Sequence, residues 1–271
     1  MPARLPERIV CLTEETTETL YLLGEERRIV GISGYTVRPP RARREKPRVS
    51  AFLSAKIDRI LELAPDLVLG FSDLQADIGR DLARKGLNVV LFNQRSVDEI
   101  LSMILLLSAM VGASDRGAAL VARFEAGIAS AREGAARLGR RPKVYFEEWD
   151  EPMISGIRWV SELMEIAGAD NVFAELALQQ GAGGRIIAEP AEVVRRQPDI
   201  IVASWCGKKF RPESLAARPG FAAIPAVRDG ELHEIKSSEI LQPGPAALTD
   251  GLMRLQRIFA RWDAKQCGGA I

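Results

Sequence analysis

The chain has 271 residues, of which 47% are hydrophobic and 27% are charged, proportions that are ordinary for a soluble globular protein. Its 37 Lys and Arg against 36 Asp and Glu leave a net charge of +1, which argues against nucleic acid as the main partner. The three cysteines, Cys11, Cys206 and Cys267, are odd in number and widely spaced, so they provide neither a disulfide framework nor a paired zinc motif.

The N-terminus reaches the first predicted strand without an apolar segment or a cleavage site. The sequence as it begins therefore predicts a cytoplasmic protein, whereas an N-terminal signal missing from it would make the protein periplasmic or place it at the cell surface. Cys11 falls inside the predicted strand and is a poor lipid-anchor candidate. The longest apolar run, 100–111, is shorter than the roughly 18 residues of a membrane span, so we expect no transmembrane segment.

Strand-like and helix-like runs alternate along the chain, which predicts parallel sheets with crossover helices. In the first half, strands are predicted near 8–12, 28–32, 66–70 and 88–92, with a short one at Val49. Helices are predicted near 16–23, 55–63, 73–85 and 97–111.

A long helix is predicted to follow this first lobe. Ser114 is placed to cap it, and Leu120, Phe124 and Ile128 are spaced for one apolar face. About 25 residues at 1.5 Å rise give a rod of roughly 37 Å. Such a connection is stiffer than a Gly/Ser linker, so we expect small motions of the lobes.

The second half repeats the element order of the first. Strands are predicted near 143–147, 171–173, 199–203 and 231–235, and helices near 156–167, 189–196, 212–218 and 244–262. The expected organisation is an α/β fold with an N-terminal lobe (1–112), a connecting helix (113–139), a C-terminal lobe (140–262) and a frayed tail (263–271). Two similar Rossmann-like lobes predict a ligand cleft between them.

Three stretches carry a resemblance to a known family: VGISGYTVRPP at 30–40, ILELAPDLVL at 60–69 and LQPGP at 241–245. From about Arg8 to Trp262 the chain resembles the substrate-binding proteins of ABC importers for cobalamin and ferric siderophores, whose two lobes are joined by one long helix. The first stretch is closest to the cobalamin-binding branch, in which a Tyr shortly before a Pro-Pro pair faces the ligand. The resemblance thus implies that Tyr35 contacts a small-molecule ligand.

The resemblance also implies docking to an ABC permease through an acidic residue on each lobe. Asp77 in the first lobe and Glu192 in the second are the candidates. We expect a monomer, no resident cofactor and no metal site, with cobalamin or another metal chelate as cargo rather than as a cofactor.

Further ligand contacts are predicted where strands end, because ligands of open α/β sheets bind at the carboxyl edge. Phe71 and Ser72 follow one strand, and Trp205 with Cys206 follows the matching strand of the second lobe. Phe71 and Trp205 would then form two aromatic jaws, although either ring is also consistent with loop packing. Gln242, in the third stretch, completes this set.

The sequence Glu147-Glu148-Trp149-Asp150-Glu151 surrounds one indole with four carboxylates. Strand alternation sends Glu147 and Glu148 to opposite faces. We place Glu148 and Trp149 in the ligand site, where the acid would select a ligand with donors or positive charge. A solvated acidic loop is the alternative.

Several other residues have structural interpretations that compete with functional ones. Asp73 and Ser155 are predicted helix N-caps, and Trp159 is predicted to lie in the core. Cys206 is more typical of a small buried thiol than of a metal ligand. His233, the only histidine, is favoured as a strand-face residue over an axial ligand of haem or cobalt.

Three functions remain open from the sequence. The first is a binding protein for a corrinoid or related metal chelate, without catalytic residues. The second keeps the fold but binds a ferric siderophore, haem or another polar or cationic small molecule. The third is a cytosolic carrier or enzyme that has reused the fold, with Glu147 or Glu148 as its acid–base group. No nucleophile–base pair or phosphate-binding Gly loop accompanies that third hypothesis.

Overall fold

The computed structural model describes residues 4–268 of the chain. They form two compact units. Unit 1 comprises the residues up to Gln94, Asp98–Phe124 and Pro243–Pro245, and unit 2 comprises Arg95–Val97, Glu125–Gln242 and the residues from Ala246 onward. The division between Phe124 and Glu125 falls inside the helix Ser114–Ala135, and the expected bounds of a connecting helix stay a prediction.

Unit 1 contains five strands and six helices, of which the fifth begins one residue before the second segment of the unit and the sixth continues into unit 2. The strands are β1 (Ile9–Cys11), β2 (Ile29–Ser33), β3 (Arg48–Ser50), β4 (Leu67–Phe71) and β5 (Val89–Phe92). The helices are α1 (Glu14–Leu22), α2 (Ala42–Glu45), α3 (Ile57–Glu62), α4 (Ala76–Arg84), α5 (Val97–Met110) and α6 (Ser114–Ala135). Short 3₁₀ turns cover Glu26–Arg28 and Asp73–Gln75.

The sheet of unit 1 has the strand order β3-β2-β1-β4-β5, and every neighbouring pair is parallel. β1 is completely buried, which explains its uninterrupted apolar sequence Ile9-Val10-Cys11. In the sheet, β2 and β3 lie on one side of β1, and β4 and β5 lie on the other. The expected parallel α/β architecture is confirmed, and ligands of such sheets generally bind at the edge where the strands end.

Unit 2 contains a second sheet. Its strands are β6 (Lys143–Asp150), β7 (Met153–Ser155), β8 (Asp170–Asn171), β9 (Ile200–Ala203) and β10 (Leu232–Glu234). Its helices are α7 (Arg158–Ile166), α8 (Ala174–Ala177), α9 (Pro190–Arg196), α10 (Pro212–Ala216), α11 (Pro225–Arg228), α12 (Ser237–Ile240) and α13 (Leu252–Gly268). Short 3₁₀ turns cover Ala182–Arg185 and Phe221–Ala223, and a π-helical turn covers Ala247–Gly251.

The sheet of unit 2 is parallel along β10-β9-β6, and β8 also pairs with β6 in parallel. β7 is the exception, because it forms an antiparallel hairpin with the end of β6. The expected parallel sheet is thus confirmed for β6, β8, β9 and β10, and the hairpin strand β7 is an addition that the sequence analysis did not predict. The stretch from Glu147 to Asp150 continues β6 and is not an acidic loop.

Two expected helix ends are also corrected. Ser155 ends β7 and its hydroxyl donates to the carbonyl of Arg185, so it does not cap α7, which begins at Arg158 after Ile157. Residues 263–268, expected in the tail, are the last turns of α13; the remaining tail residues lie outside the described part of the chain.

The apolar face predicted for α6 is confirmed, since Leu120, Phe124 and Ile128 are all buried. Trp159 is also in the core, and its indole N–H donates to the carbonyl of Ile240 at 2.9 Å. Within residues 4–268, no helix is both long and apolar enough to cross a membrane.

Candidate functional site

Tyr35 lies just beyond the carboxyl end of β2, at the edge expected for ligand binding. Its backbone N–H donates to the Ser33 hydroxyl at 3.2 Å, which holds the turn after the strand. The side chain is 56% exposed, unlike the other two tyrosines of the chain, which are buried. Tyr35 is therefore an aromatic ring with a free face at the carboxyl edge of unit 1, as a contact for a flat ligand requires.

Phe71 and Ser72 occupy the end of β4 but have local roles. Phe71 is buried. Ser72 adopts a left-handed conformation with φ of 63°, and its hydroxyl accepts a hydrogen bond from the N–H of Leu74. Ser72, rather than the expected Asp73, is thus the N-cap of the following turn. Contact of Phe71 and Ser72 with a ligand stays a prediction.

The buried side chain of Gln75 stabilises the carboxyl edge of the unit 1 sheet through hydrogen bonds. It is completely buried, its amide oxygen accepts from the N–H of Phe71 at 3.0 Å, and its amide nitrogen donates to the carbonyl of Phe52 at 2.9 Å. Gly70 makes room for it, because a Cβ at Gly70 would come within 2.6 Å of the Gln75 amide oxygen. One side chain therefore joins the segments that follow β3 and β4.

Replacing Gln75 with Leu is expected to lower the free energy of unfolding by about 2 kcal/mol, because the buried N–H of Phe71 and the partly buried carbonyl of Phe52 lose their partner. Chemical denaturation measures the loss. The control Gln180→Leu changes an exposed amide and should stay within about 0.5 kcal/mol of the unmodified protein. Equal stability of the two variants would refute this role for Gln75.

Two carboxyl groups that the sequence analysis missed lie at the same edge. Glu14 and Glu15 open α1 immediately after β1, yet they are only 7% and 1% exposed. Burial, together with the charges of Glu15 and Glu18, raises the pKa of Glu14 to about 8. Burial raises the pKa of Glu15 to about 7, although a hydrogen bond from Thr13 opposes the rise.

The sequence did contain a signal for this pair, since Thr13-Glu14-Glu15 directly follows a buried strand. Each residue also has one carboxylate oxygen that is buried without a hydrogen-bond partner in the described structure. Protonated carboxyl groups donate hydrogen bonds, so around neutral pH this edge presents donors as well as acceptors.

The LQPGP stretch contributes to unit 1 through its centre, Pro243–Pro245. Gly244 packs directly on Glu15, and a Cβ at Gly244 would approach the Glu15 Cβ to 2.4 Å. The carbonyl of Pro243 accepts from the Gln94 amide at 2.9 Å. The close contact with Glu15 therefore explains why position 244 is a glycine. Gln242, which precedes Pro243, is partly exposed, and its contact with a ligand stays a prediction.

In unit 2 the first acid of the acidic stretch is an interior residue. Glu147 is 0% exposed and accepts from the Tyr145 hydroxyl at 2.9 Å and the Trp205 indole at 3.0 Å. Arg218 donates to both of its carboxylate oxygens. Burial and the nearby Glu147 charge raise the pKa of Tyr145 well above its usual value, which keeps the hydroxyl a donor.

The second acid is also paired. Glu148 receives two hydrogen bonds from Arg185, whose side chain is only 2% exposed and also donates to the carbonyl of Ser155. The two acids therefore meet different arginines, in line with the alternation expected of a strand. Arg185 and Arg218 were not foreseen, because they lie 37 and 71 residues away along the chain.

This pairing changes the expected chemistry of the edge. A carboxylate in a bidentate pair with a guanidinium keeps its charge, but the neighbouring positive charge balances it, so the pair attracts a cationic ligand only weakly. The expectation of a ligand with positive charge depended on Glu147 or Glu148 facing it freely, and that condition is not met.

The two tryptophans of this edge flank a lysine. The Lys208 ammonium lies 5.6 Å from the ring centre of Trp149 and 5.1 Å from that of Trp205, and it pairs with Asp150. Trp205 is buried and stacks edge-on against Phe210, with ring centres 5.2 Å apart. Cys206 is exposed, so the expectation of a buried thiol is wrong.

His233 fits the strand-face interpretation. It lies in β10 with its ring nitrogens near Glu231 at 2.8 Å and Arg261 at 3.3 Å, and burial lowers its pKa. Among residues 4–268, no group of three or more His, Cys, Asp or Glu side chains is positioned to hold a metal ion.

The two candidate docking acids differ in their surroundings. Asp77 opens α4, is 84% exposed and pairs with Arg80 at 2.7 Å. Glu192 in α9 pairs with both Arg195 and Arg196. Glu192 is therefore less available to a cation on a partner than Asp77.

Comparison with known proteins assigns the chain to a class. Residues 9–239 match the family described as periplasmic binding protein, and the chain belongs to this family. A vitamin B12-binding protein of Yersinia pestis (strain Pestoides F) is 26% identical over 221 residues, which is 80% of this chain and 75% of that protein.

Solved structures agree on the fold. The periplasmic heme-binding protein RhuT from Roseiflexus sp. RS-1 is similar with a TM-score of 0.77 and 26% identity, covering 93% of this chain and 99% of that one. The periplasmic vitamin B12 binding protein of Vibrio cholerae gives a TM-score of 0.75 at 22% identity, covering 95% and 98%.

Proposed function

We propose that this protein is a substrate-binding protein that holds a corrinoid, or a related metal chelate, for an ABC importer. The observation that carries the proposal is the similarity to vitamin B12-binding proteins over four fifths of the chain. The exposed ring of Tyr35, within the stretch that resembles the cobalamin-binding branch, supports it. The importer would be engaged through Asp77 and, less readily, Glu192.

Haem or a ferric siderophore is the second candidate ligand. The similarity to a heme-binding protein at 26% identity favours it. The pairing of Glu147 and Glu148 with arginines also favours it over a cationic ligand, because the edge then tolerates acidic ligand groups.

The enzyme hypothesis loses its acid–base candidates. Glu147 is fully buried behind Tyr145, Trp205 and Arg218, so a substrate proton has no path to it in this structure. Glu148 is held by Arg185. A binding protein without catalysis remains the proposal.

Replacing Tyr35 with Ala tests the proposed contact without disturbing the core, because the side chain is exposed. We expect about tenfold weaker binding of cyanocobalamin, the loss of one aromatic contact of roughly 1.4 kcal/mol. Quenching of tryptophan fluorescence measures the dissociation constant. Trp205→Ala is a poorer test, since it also removes a hydrogen bond to buried Glu147.

The matched control is Leu22→Ala, an exposed apolar residue in the last turn of α1, at the opposite end of that helix from the carboxyl edge. It should bind cyanocobalamin as the unmodified protein does. Equal affinity of all three proteins would exclude Tyr35 from the ligand site. Absence of binding to the unmodified protein would refute the corrinoid itself.

A further inference from the structure

A basic pocket lies within unit 2, beside the carboxyl edge of its sheet. We use this name for a pocket of about 290 Å³ lined by Asp150, Trp205, Lys208, Lys209, Arg211 and Ser214. Asp150 ends β6, Trp205 follows β9, and Ser214 belongs to α10. The pocket is therefore formed where the strands of this unit present their ends.

The charges of the basic pocket do not cancel. Lys208 is matched by Asp150, with which it forms an ion pair. In the part of the chain that the structure describes, Lys209 and Arg211 have exposed side chains that form no ion pair. Two positive charges are thus left at the mouth of a pocket whose buried wall is the indole of Trp205.

The walls of the basic pocket are fixed before any ligand arrives. Trp205 is held through its indole N–H by the carboxylate of Glu147 and by the ring of Phe210. Lys208 is held by Asp150 and by two indole faces. The wall formed by Trp205 and Lys208 therefore loses little conformational entropy when the pocket is filled, whereas the exposed side chains of Lys209 and Arg211 become ordered on binding.

The size of the basic pocket restricts what it holds. Pockets for whole drug-sized ligands run from about 300 to 1,000 Å³, so a corrinoid or haem is too large for it. A single peripheral group of such a ligand fits. An oxyanion matches Lys209 and Arg211, because guanidinium and ammonium groups form their strongest hydrogen bonds with carboxylate and phosphate.

We infer that the basic pocket is a subsite for an anionic group, a phosphate or a carboxylate, at the periphery of the ligand. Lys209 and Arg211 supply the charge and Trp205 supplies the apolar wall. This inference rests on the proposed function for the body of the ligand. The unpartnered, buried second oxygen of Asp150 would accept a hydrogen bond from a donor beside that anion.

The test compares pairs of ligands in which one member lacks the anion. Cyanocobalamin carries a nucleotide loop with a phosphodiester, which cobinamide lacks, and haem carries two carboxylates that its dimethyl ester lacks. In calorimetry we expect the double variant Lys209→Gln/Arg211→Gln to bind the anion-bearing member of one pair about tenfold more weakly. Its affinity for the anion-free member should not change. Which pair responds identifies the anion as phosphate or carboxylate.

The matched control is Arg84→Gln/Lys85→Gln, which removes two exposed positive charges at the end of α4 in unit 1. It should leave all four affinities unchanged. An equal loss in the control would mean that the effect is general electrostatics, and unchanged affinity of the Lys209/Arg211 variant would overturn the inference while leaving the proposed function standing.

A second readout separates the inference from the proposed function. The indole N–H resonance of Trp205, assigned with Trp205→Phe, should shift on titration with inorganic phosphate or citrate in the unmodified protein. It should not shift in the Lys209/Arg211 variant. If no chelate binds but this shift occurs, the proposed function fails and the anion subsite stands. No shift and no chelate binding would reject both.

Discussion

Replacing Arg218 with Ala is expected to destabilise the protein by about 3–5 kcal/mol, the usual cost of leaving one charge of a buried pair without its partner. Glu147 is completely buried, and Arg218 is its cationic partner. The remaining hydrogen bonds, from Tyr145 and Trp205, are too few to replace a bidentate guanidinium. Urea denaturation followed by circular dichroism measures the loss.

Two controls isolate the buried charge as the cause. Arg228→Ala removes an exposed guanidinium that pairs with the adjacent Asp229, and it should leave stability nearly unchanged. The double variant Glu147→Gln/Arg218→Met removes both charges and should recover part of the loss. If Arg218→Ala costs no more than Arg228→Ala, Glu147 does not depend on Arg218.

Replacing both Glu14 and Glu15 with Gln is expected to stabilise the protein at alkaline pH. Burial raises the pKa of Glu14 to about 8 and that of Glu15 to about 7, from an ordinary pKa of 4.5. Above pH 4.5 the unfolded state has therefore released protons that the folded state still holds. The unfolded state therefore binds fewer protons between these limits. The free energy of unfolding accordingly falls as pH rises from about 4.5 to about 8.

Glutamine has no proton to lose, so the double variant should lack this part of the pH dependence. At pH 8.5 we expect its free energy of unfolding to be higher than that of the unmodified protein by on the order of 2 kcal/mol. This is less than the sum of the two pKa shifts, because the repulsion between the two carboxylates contributes to both of them. At pH 4 the two should agree. The charged neighbours that share this titration are Glu18, Arg38 and Arg43.

Thermal unfolding across the pH range measures the difference, with Glu125→Gln/Glu133→Gln on the exposed side of α6 as the control. The control should run parallel to the unmodified protein at every pH. Parallel curves for the Glu14/Glu15 variant would show that neither carboxyl has a raised pKa.

The order of elements was predictable because it depends on short-range signals. Apolar runs such as Ile200–Ala203 and the apolar face of α6 determine strands and helices within a few residues. The hairpin of β6 and β7 was missed because the two residues between the strands, Glu151 and Pro152, are typical of a loop. Helix starts were also misplaced, since the caps depend on backbone conformations such as that of Ser72.

The candidate site was less predictable, because its chemistry depends on contacts that are distant in sequence. Tyr35 follows β2 and lies at the carboxyl edge of the unit 1 sheet, as the sequence predicted. Trp149 and Trp205 lie at the carboxyl edge of the unit 2 sheet. Whether Glu148 is free or paired depends on Arg185, which no local pattern connects to it. Participation of both units in one ligand site stays a prediction.

A calorimetric titration of the unmodified protein with cyanocobalamin, with cobinamide, haem and a ferric siderophore as comparisons, determines whether the protein binds a metal chelate. A metal-chelate binding protein should bind cyanocobalamin, or failing that one of the other chelates, with a dissociation constant below about 1 μM, or about −8 kcal/mol. If the protein is folded by circular dichroism but binds none of the four, the proposed function is refuted.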